Sequence, residues 1–351
     1  MWLPGVWRYG LPYHRRVRVM ERLEGLYAIG EGPGANRIGY SAEEDAAHEL
    51  ARTWLQEAGF EVEVDGAGNL LGTHPSGSVP RVWTGSHLDT VPEGGKFDGA
   101  LGVVAAIEAV ERVGRGSVVV FRDEERGCAG SRARVAQGEL PDAFLELHIE
   151  QGPRLADAGA PLAIVSSIAG VMRGTIAIEG RAGHAGTTPM DVRDDALVKA
   201  AKEILRIEET ARSIEGAVAT VGRVEVEPGA VNVIPSRVTL AVDARAPDAE
   251  RLERLVAAIG AEPSYEVAPA EMAPELRDVL RAEIQSRGLP VIELSSGAGH
   301  DAGILAAAGV PSAMLFVRSL NGGVSHSPDE LSSDEDVALA VEVLAGVLAR
   351  L

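Results

Sequence analysis

The sequence predicts an α/β fold in which a mostly parallel, mixed sheet is flanked by helices and carries an inserted ferredoxin-like βαββαβ domain. Three observations predict it. Short apolar, β-prone runs alternate with helix-forming segments in the first half of the chain, as expected for parallel strands covered on both faces. After Gly170 the order becomes strand, helix, strand, strand, helix, strand within about a hundred residues. Helix–strand alternation then resumes, which indicates an insertion.

The individual elements follow from local patterns. Ser41 and Glu44 form a predicted capping box that opens a helix reaching Ala58, and Gly59 ends it. Strands are predicted at 60–65, 81–85, 117–121 and 143–149, with a helix at 100–113. The inserted segment contains strands at 173–180, 217–227, 237–245 and 264–268 and helices at 191–212 and 248–259. Beyond it come helices at 274–288 and 301–308, strands at 290–294 and 312–317, and a last helix capped near Ser333.

These elements define the expected domains. A discontinuous metal-binding catalytic domain comprises residues 20–169 and 271–351, and residues 170–270 form a lid and dimerisation domain. Residues 1–19 are expected to be an N-terminal extension, because they are rich in tryptophan, tyrosine and arginine and contain no acid. Prolines and an arginine interrupt the apolar stretch that a signal peptide would need. Met20 is a candidate for the natural start.

Composition limits the class of protein. With 351 residues the chain is long enough for two domains. A formal net charge of −19 argues against nucleic acid or an anionic membrane as a partner. The single cysteine, Cys128, excludes an internal disulfide and fits a cytoplasmic location. No apolar run approaches the roughly 20 residues needed to span a bilayer.

The stretch RVWTGSHLDTVPEGGKFDG, residues 81–99, predicts half of a metal site. His87 ends a buried strand, and a glycine-bearing loop can fold Asp98 back onto it. On extended backbone the side chain of Asp89 leaves the same face as His87, so it can orient the imidazole. A solvated loop with a stray histidine is the alternative for this stretch alone.

Further polar residues follow other predicted strands. Glu124 and Glu125 come after the strand at 117–121, and adjacent residues on extended backbone point in opposite directions. One carboxylate can therefore bind metal while the other acts as a general base. His148 ends the strand at 143–149, and His326 lies in a glycine- and serine-rich loop. His184 and His300 lie in other glycine-containing loops.

Seven motifs occur in a fixed order: GSHLDTVPEGGKFDG, DEE, LELHIEQGP, GHAGTTPM, VNVIP followed by DAR, SGAGHDA and SHSP. Together they resemble the dinuclear metallopeptidase and amidohydrolase superfamily. More narrowly, they resemble its carbamoylase branch, which comprises N-carbamoyl-L-amino-acid hydrolases, β-ureidopropionases and allantoate amidohydrolases. The resemblance covers nearly the whole chain from about residue 21 onward.

The resemblance implies two divalent metal ions, and sites of this composition accept Zn, Mn, Co or Ni. The ligands it assigns are His87, Asp98 and His148 for one ion and Asp98, Glu125 and His326 for the other. It makes Glu124 the general base and Asp89 the partner of His87. Spacing alone leaves open which of the two glutamates is the ligand.

The resemblance also implies a small substrate that carries a carboxylate. The residues it assigns to substrate binding are His184, Asn232 and Arg245, with further contacts from Gln151 and the turn Gly297-Ala298-Gly299. A guanidinium such as that of Arg245 suits a carboxylate held by two hydrogen bonds. In this family the inserted domain forms a homodimer, and its histidine reaches the active site of the partner subunit.

The implied reaction is hydrolysis of the C–N bond of an N-carbamoyl amino acid, giving the amino acid, CO2 and ammonia. A metal-bound water deprotonated by Glu124 would attack the ureido carbonyl, while His184 stabilises the oxyanion. Allantoate is the nearest alternative substrate, and a dipeptidase or N-acyl amino acid hydrolase is a further one. Peptidase relatives usually carry a carboxylate in place of His148, which favours the carbamoylase branch. A catalytically silent binding protein is a third alternative, against which the complete ligand set argues.

Overall fold

The computed structural model describes residues 13–76 and 81–351, with side chains described from residue 16 onward. The chain divides into two compact units. The larger unit contains the residues up to Ser166 together with Glu271–Leu294 and Gly299–Leu351. The smaller unit contains Ser167–Ala270 and Ser295–Ala298. The predicted extension falls largely on residues 1–12, which lie outside the described part of the chain.

Helices and strands alternate along most of the chain. The helices are α1 Tyr13–Tyr27, α2 Ala42–Glu57, α3 Ala100–Val113, α4 Ala129–Gln137, α5 Arg154–Asp157, α6 Ala196–Arg212, α7 Ala249–Ile259, α8 Pro274–Ser286, α9 Asp301–Ala307 and α10 Asp334–Leu348. The strands are β1 Glu61–Val64, β2 Leu70–Thr73, β3 Val82–His87, β4 Ser117–Phe121, β5 Ala143–Ile149, β6 Leu162–Ile168, β7 Gly170–Glu179, β8 Gly183–His184, β9 Val218–Glu227, β10 Val233–Ile234, β11 Arg237–Ala246, β12 Glu262–Val267, β13 Ala270–Glu271, β14 Glu293–Ser296 and β15 Ser312–Val317.

The large sheet is mixed, with a parallel centre. Its strand order is β1-β2-β4-β3-β5-β15-β6-β13, and β14 pairs with β6 beside this path. Strands β4, β3, β5 and β15 run parallel, whereas β1, β2 and β6 pair antiparallel at the two sides. This agrees with the predicted α/β class, since helices connect the parallel strands.

Helices cover both faces of the parallel centre. Alternate residues of β5 contribute to the main hydrophobic core, among them Leu145 and Leu147, together with residues of α1, α2, α3, α8 and α10. The residues between them point to the opposite face, where the ring of Phe144 contacts that of Phe121. Helices α4 and α9 pack together against β4, β5 and β15. All seven residues of β5 are buried, as expected for a central parallel strand.

Helix α1 crosses the boundary that the sequence places at residue 19. Val19, Leu23 and Leu26 are fully buried in the main core, at helical spacing along one face. Arg18 forms ion pairs with Glu108 and Glu111 of α3. Residues 16–19 are therefore packed against the larger unit. The unusual composition of the segment concealed this apolar periodicity.

Four other elements differ from the sequence prediction. Ser41 caps α2, but Glu44 does not complete a capping box, because its carboxylate accepts the backbone N–H of Tyr40 and of Asp123. Helix α4 and strand β6 were not anticipated from the pattern: α4 has the polar sequence AGSRARVAQ, and β6 shows no alternation. The helix expected from residue 191 begins at Ala196, where Asp195 caps it, after a short 3-10 turn.

The smaller unit contains a four-stranded antiparallel sheet with the order β12-β7-β11-β9. With α6 and α7 in the connections, this is the ferredoxin-like arrangement. Alternate residues of β11 are buried under the two helices, for example Leu240 and Val242. Strands β8 and β10 form a separate two-stranded ribbon, in which His184 lies opposite Val233. Within the described residues, no helix combines the length and apolarity required to cross a membrane.

Candidate metal centre

The carboxyl ends of the parallel strands bring the candidate ligands to one edge of the large sheet. His87, the last residue of β3, lies opposite Phe121, the last residue of β4. His148 is the penultimate residue of β5 and lies opposite Phe316 of β15. Because parallel strands end at the same edge, the loops after β3, β4, β5 and β15 converge there. The described ligands all come from these strand ends and loops.

Asp98 lies at the centre of the cluster, at the start of α3. Its Oδ1 is 3.1 Å from Nε2 of His148 and 3.7 Å from Nε2 of His87. Its Oδ2 is 3.3 Å from Nε2 of His326. Burial would raise the pKa of Asp98, but the hydrogen bonds of His148 and His326 hold it well below its usual range. Oδ1 of Asp98 therefore faces the imidazoles of His87 and His148, whereas Oδ2 faces that of His326.

Gly99 makes this approach sterically possible. It has a positive φ of 62°, and a Cβ added there would lie 2.4 Å from Cε1 of the His87 ring. A larger residue would push the imidazole away from Asp98. The turn into α3 therefore depends on glycine at this position.

The second half of the cluster contains Glu125 and His326. Oε2 of Glu125 is 3.4 Å from Nε2 of His326. The hydrogen bond with Asp98 raises the pKa of His326 to about 9, and burial raises the pKa of Glu125 to about 7. Oε1 of Glu125 is buried and has no hydrogen-bond partner among the described residues. An unpartnered buried carboxylate oxygen is a typical position for a cation.

Asp89 orients two parts of the site. Its Oδ1 is 3.2 Å from Nδ1 of His87 and also accepts the backbone N–H of Glu124 at 2.9 Å. Its Oδ2 accepts the backbone N–H of Glu125 at 3.1 Å. The side chain thus fixes the imidazole of His87 and the backbone that carries both glutamates.

The residues present fit two divalent ions. Nδ1 of His87 faces Asp89, and Nδ1 of His148 lies 3.0 Å from the carbonyl oxygen of Ile149, so both Nδ1 atoms face acceptors and carry the proton. The Nε2 atoms of both rings face Oδ1 of Asp98, so each contact is made either through a second proton on the ring or through a cation that takes its place. Ligand atoms of His87, Asp98 and His148, and likewise of Asp98, Glu125 and His326, lie within 4.8 Å of one another. Imidazole nitrogen and carboxylate oxygen are typical ligands for Zn, Mn, Co and Ni.

Glu124 lies beside this cluster without a strong hydrogen bond. Its Oε2 is 3.8 Å from Nε2 of His87, and Sγ of Cys128 lies 3.7 Å from its Oε1. Burial raises the pKa of Glu124 well above that of an ordinary glutamate, although His87 opposes the shift. Burial thus favours the protonated form of this carboxyl more than in an exposed glutamate.

The expected substrate-binding residues of the smaller unit fall into two groups. One contains His184 and Asn232, and the other contains Arg245 and the turn at Gly297 and Ala298. In the smaller unit, Nδ1 of His184 accepts the backbone N–H of Gly186 at 3.0 Å and of Thr187 at 3.2 Å, so Nε2 carries the proton. Asn232 is exposed, and its backbone carbonyl oxygen accepts the backbone N–H of Ala185, the residue after His184.

Arg245, expected to be free for a carboxylate, is partly engaged. Its Nε and Nη2 donate to Asp243 at 2.8 and 3.2 Å, and its Nη1 donates to the carbonyl oxygen of Gly297 at 2.8 Å. A guanidinium has five N–H groups, so one remains on each Nη. Ala298 and Gly299 complete the turn, and no atom lies within 4 Å of a Cβ added at Gly299.

Gln151 was expected to contact substrate, but its amide nitrogen contacts the cluster itself. Nε2 of Gln151 donates to Oδ2 of Asp98 at 2.9 Å and to Oγ of Ser325 at 3.2 Å. Its backbone has a positive φ of 56°. In this conformation both N–H groups of the amide are used within the site.

Sequence reasoning missed several buried residues around the cluster. Glu330 accepts the backbone N–H groups of Phe97 and Asp98. Glu146 accepts the hydroxyl of Ser86 and the N–H of Ala302. The signal for Glu146 was its position two residues before His148 in an apolar strand, where an unpaired carboxylate would be costly.

Comparison with known proteins supports a common family. Residues 83–350 match the model of peptidase family M20/M25/M40. An N-carbamoyl-L-amino acid amidohydrolase of Geobacillus stearothermophilus is 38% identical over 397 aligned positions, which cover 93% of this chain and 96% of the relative. An allantoate amidohydrolase of Bacillus subtilis is 31% identical and covers 93% of this chain and 94% of the relative.

Solved structures give the same picture. An amidase of the hydantoinase/carbamoylase family from Burkholderia multivorans superposes with a TM-score of 0.88 at 28% identity. The superposition covers 95% of this chain and 97% of the other. The similarity therefore extends over nearly the whole length of both chains.

Proposed function

The chain belongs to peptidase family M20/M25/M40, and we propose that it uses two divalent metal ions to hydrolyse the C–N bond of an N-carbamoyl amino acid. The observation that carries the metal-dependent part is the two-sided environment of Asp98, whose oxygens face different imidazoles. The similarity to N-carbamoyl-L-amino-acid amidohydrolases supports the substrate class. The family and the amidohydrolase relatives identify the protein as a hydrolase that acts on linear amides.

We assign His87, Asp98 and His148 to one ion and Asp98, Glu125 and His326 to the other. When bound, the two ions supply Lewis acidity that polarises a carbonyl and activates water. Two divalent ions carry a charge of +4, and the carboxylates of Asp98 and Glu125 contribute −2 against it. The ligand set alone therefore remains positive, with the carboxylates of Asp89 and Glu124 lying beside it.

Glu124 moves the proton in this scheme. Its buried carboxylate takes a proton from the attacking water at Oε2 and then delivers it to the nitrogen that leaves the ureido carbon. The bond from that carbon to the amino acid nitrogen breaks, and the remaining carbamate gives CO2 and ammonia. Burial raises the pKa of Glu124 and so favours the protonated form that the second step requires.

The smaller unit supplies the groups that bind and orient the substrate. Nε2–H of His184 can donate to the developing oxyanion, because Nδ1 already accepts two backbone N–H groups. The two unused N–H groups of Arg245 can bind the substrate carboxylate, and Asn232 can donate beside them. Asp243 holds the guanidinium in place through two hydrogen bonds.

We also propose that the smaller unit forms a homodimer. Strand β9 lies at the edge of its sheet, and Val218 and Val224 on this strand are exposed. Leu205 of α6 is 61% exposed. An exposed strand edge next to exposed apolar side chains is typical of an interface. In such a dimer His184 would serve the active site of the partner subunit.

The test is ammonia release from a panel of N-carbamoyl-L-amino acids, allantoate and a dipeptide, with and without added Mn²⁺. Release from the carbamoyl amino acids that requires metal is the expected result. Faster release from allantoate would favour the second candidate function, which the Bacillus subtilis relative supports. Cleavage of the dipeptide alone would contradict the proposal.

A further inference from the structure

Glu330 lies next to the backbone of Asp98 and is only 5% exposed. One of its oxygens, Oε1, accepts the backbone N–H of Phe97 at 2.7 Å and of Asp98 at 3.0 Å. The carboxylate thus holds the backbone of the loop that presents Asp98 to both groups of imidazoles.

The other oxygen of Glu330 holds a second ligand loop. Its Oε2 accepts the hydroxyl of Ser325, the residue before His326, at 2.8 Å. Ser325 and Asp98 are 227 residues apart in the sequence. One buried carboxylate therefore connects the loop of Asp98 to the loop of His326.

The chain leaves space for this carboxylate. A Cβ added at Gly95 would lie 2.1 Å from Cδ of Glu330 and 2.2 Å from its Oε1. Such distances are impossible for a real side chain, so any other residue at position 95 would displace Glu330. The glycine at position 95 therefore leaves space for the carboxylate of Glu330, and the backbone N–H groups of Phe97 and Asp98 bind it.

The hydrogen bonds around Ser325 have a definite direction. Its hydroxyl has one proton and lies closer to Glu330, at 2.8 Å, than to Oδ2 of Asp98, at 3.3 Å. Ser325 therefore donates to Glu330 and accepts from Nε2 of Gln151 at 3.2 Å. Gln151 donates its second N–H to Oδ2 of Asp98. The side chain of Asp98 is thus oriented through Gln151 and its backbone through Glu330.

We propose that Glu330 is a positioning residue that holds Asp98 and His326 at the separation required by their shared metal ion. This inference rests on the proposed function, because it assumes that Asp98, Glu125 and His326 bind an ion. Residues that orient metal ligands typically change metal affinity by about 10- to 100-fold when they are replaced. The larger effect should fall on the ion bound by His326, because Glu330 holds the loops of both Asp98 and His326. The other ion shares only Asp98 with this connection, and its ligands His87 and His148 are held by Asp89 and Ile149.

The experiment is calorimetric titration of chelator-treated, full-length protein with Zn²⁺ and, separately, Mn²⁺. The Glu330→Ala variant should bind the ion of His326 about 10- to 100-fold more weakly and the other ion with a smaller loss. Glu330→Gln should restore most of the affinity. Its carbonyl can accept the two backbone N–H groups, and its amide can donate to Ser325.

A matched control separates positioning from general destabilisation. Glu283 of α8 is also 5% exposed and pairs with Arg287 and Arg350, and a Cβ at Gly346 would lie 2.1 Å from its carboxylate. Glu283→Ala should lower the melting temperature yet bind both ions with wild-type affinity. Ser325→Ala removes only one hydroxyl from a partly exposed loop, so it tests the same connection without removing a buried charge. This variant should also lower the affinity for the ion bound by His326.

The outcomes distinguish the two proposals. Wild-type protein that binds no ion would overturn the proposed function and with it this inference. Wild-type protein that binds two ions, together with Glu330→Ala or Ser325→Ala variants of unchanged affinity for both, would overturn the positioning role alone. An equal loss of affinity for both ions in Ser325→Ala would also contradict the positioning role.

Discussion

Replacing Glu124 by glutamine removes a proton acceptor and leaves the shape of the site unchanged. Neither oxygen of Glu124 makes a short hydrogen bond: Oε1 is 3.7 Å from Sγ of Cys128, and Oε2 is 3.8 Å from Nε2 of His87. A neutral amide costs less to bury than a carboxylate. The variant should therefore fold with a melting temperature equal to or above that of wild type.

The loss of activity follows from the role of the carboxylate. General acid–base catalysis by one positioned group contributes about 10²- to 10⁴-fold, equivalent to about 3–5 kcal/mol of the activation free energy. We expect a loss within this range. Glu124 itself contributes no ligand, so metal content should remain at wild-type level.

The assay combines steady-state ammonia release with metal analysis of the same sample. The neighbouring variant Glu125→Gln is the matched control, since it replaces the adjacent residue by the same amide. It should lose the ion that it shares with His326, whereas Glu124→Gln should keep both ions and lose kcat. Full activity in Glu124→Gln, or metal loss in that variant with retention in Glu125→Gln, would refute the assignment.

Three further results are expected. His184→Ala should lower kcat by about 10²- to 10³-fold with metal content unchanged, as removal of an oxyanion donor does; a change in KM alone would contradict this. Because the hydrogen bond of Asp98 raises the pKa of His326 to about 9 and a metal ion requires the neutral imidazole, binding should release a proton. Between pH 7 and pH 9 affinity for that ion should then rise about tenfold per pH unit, and more steeply below pH 7, where Glu125 with its pKa of about 7 must also lose a proton. Calorimetry in buffers of different ionisation enthalpy should detect the released proton; pH-independent binding would contradict this. Leu205→Glu should convert a dimer to a monomer in light scattering, whereas Val64→Glu, 55% exposed in the larger unit, should not.

The fold was largely predictable because its strands carry strong local signals. The limits of β4, β5 and β15 agree with the expected residues, since each is a short apolar run between polar or turn-forming segments. Helix α1 was missed because three buried side chains lie among arginines and aromatics. Helix α4 was missed because its sequence has little apolar periodicity. Both depend on contacts with distant parts of the chain.

The convergence of the candidate ligands was also predictable, since His87 and His148 lie at the ends of parallel strands and the other ligands lie in the loops that follow parallel strands. The residues that hold these ligands in place were not predictable from the sequence. Glu330 reaches the site from a turn that follows His326, and no local pattern distinguishes its carboxylate from that of exposed Asp329. The contact of Gln151 with Asp98 depends on a left-handed backbone conformation that its sequence does not signal. Such interactions join loops that are far apart in the chain.

The central claim is that two divalent ions bound around Asp98 make this chain an amidohydrolase of ureido amino acids. Its most direct test is ammonia release from an N-carbamoyl-L-amino acid by chelator-treated protein, measured as Mn²⁺ is added back in known molar ratio. We predict negligible release without metal and a rise that levels off at two equivalents per chain. Release that is unaffected by chelation, or no release after both equivalents are bound, would contradict the account.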